Sequence, residues 1–149
     1  MKEIFTEIEI HAPASRIWGH LLDFDRFKDW NPFIREVRGG TTPGERLKVG
    51  VRLPSGIALT FRPRILKIEA ERELRWIDRT ALPGILEGEH SFVLERLGDD
   101  RVRFVHRECF RGLVAVLFGE LLDRQIRPGF EVMNRTLKEV AERAGAAGI

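Results

Sequence analysis

The 149-residue chain has no tyrosine, one cysteine and two methionines, and its 25 Lys and Arg outnumber its 23 Asp and Glu by only two. Each scarcity excludes something. A lone Cys109 forms no internal disulfide and no cysteine-based zinc cluster. A surplus of two charges, despite a pI near 9.0, is too small a footprint for nucleic acid. The longest apolar stretch, Leu113 to Phe118, falls far short of the ~20 residues a membrane helix needs, so stable membrane insertion is not expected. The start, Met1-Lys2-Glu3-Ile4-Phe5, lacks the apolar core of a signal peptide, which makes the cytoplasm the expected location. No repeat, linker or low-complexity stretch interrupts the chain, and its length suits one domain over residues 1–149. With tyrosine absent, the large rings are ten Phe and three Trp, suited to a greasy interior without a phenol as donor or acid.

What is present is patterned. Ile4, Thr6, Ile8 and Ile10 share one parity of a two-residue repeat, opposite Glu7, Glu9 and His11, as in a half-buried strand. Pro13 suits the first turn of a helix carrying Ile17, Trp18, Leu21 and Leu22. Asp23 is placed to cap a second short helix with Phe24, Phe27 and Trp30, stopped by Asn31-Pro32. Strands follow, among them Leu47 to Leu53 and Ile57 to Phe61. A change of parity before Leu66 and Ile68 predicts a bulge near Pro63. From Gly112, Leu113, Leu117, Leu121, Phe130, Met133, Leu137 and Val140 recur at helical spacing to about Arg143, ahead of a frayed tail over 144–149. Pro128 is expected to kink this helix and Gly129 to permit close approach. One strand, two short helices, a run of strands and one long helix make an α+β layout.

The last hairpin carries the polar candidates. A three-residue loop at Gly98 to Asp100 sets Leu94 opposite Phe104, Phe92 opposite His106 and His90 opposite Glu108. Two histidines and a carboxylate then sit on the apolar side of the sheet.

Ile8-Glu9-Ile10-His11-Ala12-Pro13 with Ile17-Trp18, then Leu22-Asp23-Phe24-Asp25 and Trp30-Asn31-Pro32, resemble the opening of the START / birch-pollen-allergen (SRPBCC) superfamily. Gly88-Glu89-His90-Ser91-Phe92, the run from His106 to Leu113 and Gly129-Phe130-Glu131 look most like its bacterial polyketide cyclase/dehydrase-like branch. The resemblance spans nearly the whole chain. It implies a helix-grip fold, in which a curved antiparallel sheet wraps around a long C-terminal helix and encloses an apolar cavity. Members bind lipids, sterols, polyketides, quinones or plant hormones, and a minority catalyse cyclisation or dehydration. Fold alone chooses no activity.

Two functions follow from the residues. The first is a carrier or sensor that binds a lipid, polyketide or isoprenoid between the sheet and the Gly112–Arg143 helix. Its wall candidates are Trp18, Trp30, Phe33, Phe61, Trp76, Phe92, Phe104 and Phe110, with Leu117, Leu121, Phe130 and Met133 from the helix. The bland alternative is that these side chains simply fill a core. The second function is a cyclase or dehydratase that uses His90, His106 and Glu108 as an acid–base group. Its bland counterpart is a polar cluster that only satisfies itself. The expected mouth lies near Asp23–Pro32 and Leu82–Leu86. Asp78 reads as a solvated strand-end carboxylate, Arg62 and Arg64 as outward arginines, with a clamp on a ligand carboxylate as the alternative, and Cys109 as structural. No metal and no cofactor are expected, the partner is a hydrophobic small molecule, and monomer and homodimer remain open. An interaction protein of co-chaperone type is a third class, disfavoured by the Trp30-Asn31-Pro32 region.

Overall fold

Alternation in the first strand decides which face of the sheet is inside: Ile4, Thr6 and Ile10 are buried while Glu3, Phe5, Glu7 and Glu9 are exposed. A computed structural model describes residues 1–147. The chain runs through β1 (Lys2–Ile10), α1 (Ala14–Leu22), a 3-10 turn (Phe24–Arg26) and α2 (Phe27–Trp30). Strands β2 (Ile34–Arg38), β3 (Lys48–Arg52), β4 (Ala58–Phe61), β5 (Arg64–Glu69) and β6 (Glu73–Arg79) follow. The long strands β7 (Glu87–Gly98) and β8 (Arg101–Arg111) lead into α3 (Leu113–Ala147). Five strands form an antiparallel sheet in the order β1-β8-β7-β6-β5, and β2-β3-β4 form another. The sheets join where Arg46 bridges Arg64, with the Leu47 and Ile65 amides donating to Pro63 and Glu45 carbonyls. The curved sheets grip α3, which lays fully buried Phe130, Met133, Leu137 and Ala141 on the inner face of β1 and β8. This is the helix-grip fold.

The β7–β8 register is the expected one: Leu94 faces Phe104, Phe92 faces His106 and His90 faces Glu108. The connecting turn is tighter than three residues, because Gly98 pairs with Arg101 and the ladder shifts between Arg96 and Gly98.

Several expectations are corrected. Pro63 lies in no bulged strand; it separates β4 from β5, where the chain passes between sheets and a missing N–H costs no ladder bond. The irregularity falls between Ile65 and Lys67, burying Ile65 and leaving Leu66 exposed. Asp23 makes no side-chain cap. Pro128 does not kink α3. Pro128 and Arg124 are both exposed, so the carbonyl that loses its amide lies on the solvent side. The non-helical residue is Phe118 (φ −125°, ψ 22°), just before Gly119, against which the Lys2 stem packs. Helix α3 continues beyond Arg143 to Ala147, and 148–149 of the expected frayed tail lie outside the described residues. Leu113, Leu117 and Leu121 point outward, at 53%, 63% and 48% exposure. The reason is phase: the interval from Leu121 to Phe130 is about two and a half turns at ~3.6 residues per turn, which places them on opposite faces.

Gly129 does allow close approach. A Cβ there would run into the Phe33 ring, itself packed edge-on against Phe130. Gly129→Ala should therefore lower stability by about 2 kcal/mol through overpacking, despite alanine's better helix propensity. Urea melts of the two proteins measure it.

Candidate functional site

Strand parity puts Gly88, His90 and Phe92 of β7 beside His106, Glu108 and Phe110 of β8, with Trp76 and Asp78 of β6 on the other flank. The polar members form one hydrogen-bonded chain. His90 Nε2 lies 2.8 Å from His106 Nε2, and His106 Nδ1 lies 2.8 Å from Asn134 Oδ1. Asn134 Nδ2 donates to Thr6 Oγ1 at 2.9 Å, and Thr6 Oγ1 donates to the His106 carbonyl at 2.7 Å. At the other end His90 Nδ1 stands 3.5 Å from Glu108 Oε1.

The direction of this chain follows from its terminus. A carbonyl only accepts, so the Thr6 hydroxyl must donate to it and accept from Asn134, which turns the amide nitrogen toward Thr6. The amide oxygen then faces His106, so Nδ1 of His106 carries the hydrogen and its Nε2 is a bare lone pair. His106 is fully buried; desolvation first, and the neighbouring His90 second, hold its pKa well below 6.5 against the opposing Asn134 hydrogen bond. It is therefore neutral, and His90 must donate its Nε2–H to it. Only Nδ1 of His90 is left to exchange a proton, and it points at Glu108. The two groups stand side by side at the cavity end of the network, 3.5 Å apart. Aromatic rings fix the geometry: His106 stacks on Phe130 at 3.9 Å and 10°, and His90 packs against Phe92 and Trp76.

This pair opens onto a cavity of about 280 Å³ between β2–β4 and β6–β8. Gly88 makes room for the carboxylate, since a Cβ there would lie 2.5 Å from Glu108 Oε2. The buried Asn31 Oδ1 accepts from the amides of Phe33 and Ile34 at 3.0 and 2.8 Å, and this turn aims Phe33 into the cavity. The rim is tied to α3: the Leu113 and Val114 amides donate to the Gly84 and Ile85 carbonyls, both at 2.9 Å. Gly112 (φ +105°) allows that approach, because a side chain there would strike Ile85.

Of the expected wall residues, Phe33, Phe61, Trp76 and Phe110 line the cavity together with His90 and Glu108. Phe92, Phe104, Phe130 and Met133 are buried behind the histidines, as core. Trp18 belongs to the core and Trp30 packs on Phe27 and His20, away from the wall, while Leu117 and Leu121 lie on the outer face of α3. Leu86 flanks the cavity as expected of the mouth, with Thr80, outside that expectation, beside it, but Asp23–Pro32 contributes no wall residue. Asp78 is a correction. It is half-buried and lines the cavity, and burial, with the charge of Glu108 adding, raises its pKa against the backbone amides of Arg62 and Arg79. Its parity with Leu74 and Trp76 was the signal. Arg62 and Arg64 are exposed and off the cavity. The Cys109 thiol meets Glu3 at 3.4 Å, and burial, then that hydrogen bond, push its pKa up, which suits no nucleophile. Among the described residues no three His, Cys, Asp or Glu side chains gather as a metal set. Val49, Val51, Leu59 and Ile126 complete much of the wall. Asn134, a polar residue inside the apolar stripe of α3, was the missed key to the histidines.

Comparison with known proteins agrees with this architecture. Residues 1–142 match the family model described as polyketide cyclase / dehydrase and lipid transport. The chain belongs to that family. Solved structures similar to this polyketide cyclase/dehydrase family member include a START superfamily protein from Mycobacterium smegmatis, at 16% identity and TM-score 0.76, covering 97% of this chain and 99% of that one. The Zhui aromatase/cyclase from Streptomyces sp. R1128 is 16% identical at TM-score 0.77, covering 95% and 94%. The di-domain ARO/CYC StfQ from the steffimycin biosynthetic pathway is 12% identical at TM-score 0.75, covering 99% of this chain and 52% of that one. At such identities the likeness is one of fold. No curated protein sequence matched.

The buried neutral His106 sets a pH dependence. Below its ordinary value of 6.5 the unfolded chain binds a proton that the folded chain refuses. Stability should therefore fall with pH in that window, by up to about 1.4 kcal/mol per unit, and be flat in this respect above it. His106→Gln should remove a slope of about one proton from urea melts compared between roughly pH 5.5 and 7.5.

Proposed function

We propose that this family member binds a hydrophobic small molecule in the cavity between its sheets, as a carrier or sensor. The observation that supports this best is the cavity itself, whose wall is aromatic and aliphatic except for Asp78, His90 and Glu108 and a rim of Arg79 and Thr80. Its volume of about 280 Å³ is roughly twice the ~150 Å³ of an engineered cavity that holds benzene, so a bicyclic or short-chain hydrophobe is the matching size. Burial of such a ligand's apolar surface supplies the driving force, and the polar end sets its orientation. Leu59, 38% exposed on edge strand β4, lets the reading be tested without disturbing the core. Leu59→Trp should fill the cavity and weaken binding of the neutral probe N-phenyl-1-naphthylamine at least about tenfold, with the thermal melt moving only a few degrees. Probe binding unchanged by that substitution would count against the cavity as the site.

A second reading, proton-transfer catalysis, is favoured by the placement of the Glu108 carboxyl on the cavity wall with His90 Nδ1 3.5 Å from it. In its carboxylate form Glu108 is a base there. It can take a proton from carbon beside a ligand carbonyl, whose oxygen receives the electron pair, and return that proton to carbon or oxygen. 2-Tetralone in D2O is a suitable probe. Wild-type protein should exchange its α-protons about 10²-fold faster than buffer, and Glu108→Gln should fall to the buffer rate. Equal rates in both proteins would leave simple binding.

A further inference from the structure

The polar inventory of the cavity defines a ligand class, an inference that rests on the binding reading above. We propose that the cavity selects neutral hydrophobes carrying a hydrogen-bond donor, such as a hydroxyl on a fused ring, and rejects carboxylates and phosphates. No lysine lines the cavity; the Trp76 indole on the wall is an uncharged donor, and the polar groups at the rim and at His90 are engaged by the protein. Arg79 Nε donates to Glu87 at 2.6 Å, on the other side of its strand. Thr80 Oγ1 donates to the Leu82 carbonyl at 2.9 Å. His90 is 6% exposed, and its Nε2–H is consumed by His106 at 2.8 Å. What remains facing the interior is acceptor capacity: the carboxyl of Asp78 and the carboxylate shared with His90 at Glu108. These two lie close enough for Glu108 to act electrostatically on Asp78.

An anionic ligand head placed there would be desolvated in an apolar chamber, find no lysine in the wall, and face one or two carboxylates of its own sign, the charge of Glu108 acting on Asp78 more strongly than that of Arg46. A hydroxyl would instead meet carboxyl oxygens with acceptor capacity beyond what the Arg62 and Arg79 amides and His90 take up, and leaving that capacity unused beside a purely apolar ligand costs affinity. The same groups therefore favour a donor-bearing ligand over its apolar parent and disfavour its acid. Selection comes from charge and hydrogen-bond sense, because the aromatic wall treats all three alike.

Three ligands of one shape test this: naphthalene, 2-naphthol and 2-naphthoate, each competing with N-phenyl-1-naphthylamine at about pH 7.5, where the first two are neutral and the third ionised. The expected order is 2-naphthol about tenfold tighter than naphthalene and about a hundredfold tighter than 2-naphthoate. Asp78→Asn with Glu108→Gln supplies amide donors without a charge and should shrink the naphthol-to-naphthoate gap to about threefold. Single Asp78→Asn should narrow it partway, and it serves if the double variant does not fold. Naphthoate binding as tightly as naphthol, or a gap that these substitutions leave untouched, overturns the ligand class while leaving the cavity as a binding site. If neither the probe nor naphthalene binds, the binding reading falls and this inference with it.

Discussion

A backbone carbonyl can accept a hydrogen bond and never donate one, and that constraint at His106 orders the interior of this protein. It dictates the sense of the Thr6 hydroxyl, which dictates the Asn134 amide, which dictates the tautomer of His106 and hence the nitrogen left free on His90. The chain crosses β1, β8, α3 and β7, elements that meet only in the folded protein. Each member is buried, so loss of any partner strands a polar group in apolar surroundings at a cost of about 1–3 kcal/mol. The network therefore joins helix to sheet and turns Nδ1 of His90 toward Glu108 on the cavity wall.

The cavity exists because two glycines stand where side chains would close it. Gly88 leaves space for the Glu108 carboxylate, and Gly129 lets the Phe33 ring approach α3 where a side chain would strike it. Asn31, buried where the short helices end, then sets the turn that aims Phe33 inward. Apolar residues from both sheets complete an enclosure with acids at one end and no lysine in its wall. Membership of the polyketide cyclase/dehydrase and lipid transport family is consistent with ligand binding and with cyclisation alike. The acids at one end of this particular cavity are what the proposed ligand class rests on.

The helix-grip fold was legible because the strands alternate cleanly and the last hairpin has long, unambiguous parity; the pairing of His90 with Glu108 holds although the turn is shorter than expected, because the bulge between Arg96 and Gly98 restores the register. The site was legible only in part. Phe33, Phe61, Trp76 and Phe110 reach the cavity, whereas rings of the same parity deeper in the sheet, such as Phe92 and Phe104, are covered by α3. Parity tells inside from outside but not core from cavity, which depends on how far the helix extends over the sheet. Leu117 and Leu121 were misplaced because two apolar stripes on α3 were read as one. Asp78 was read as solvated because its strand ends there, although the opposite sheet closes over it. The partner of Asn134 could not be read at all, since Thr6 lies at the far end of the chain and meets it only through the closed sheet.

The central claim is the tautomeric state imposed on the two histidines, and long-range ¹H–¹⁵N correlation spectra of the ¹⁵N-labelled protein near neutral pH observe it directly. The account predicts His106 as a neutral ring protonated at Nδ1 and His90 protonated at Nε2, with Asn134→Leu releasing His106 from that form. A His106 ring protonated at Nε2, or one indifferent to the loss of Asn134, would contradict it.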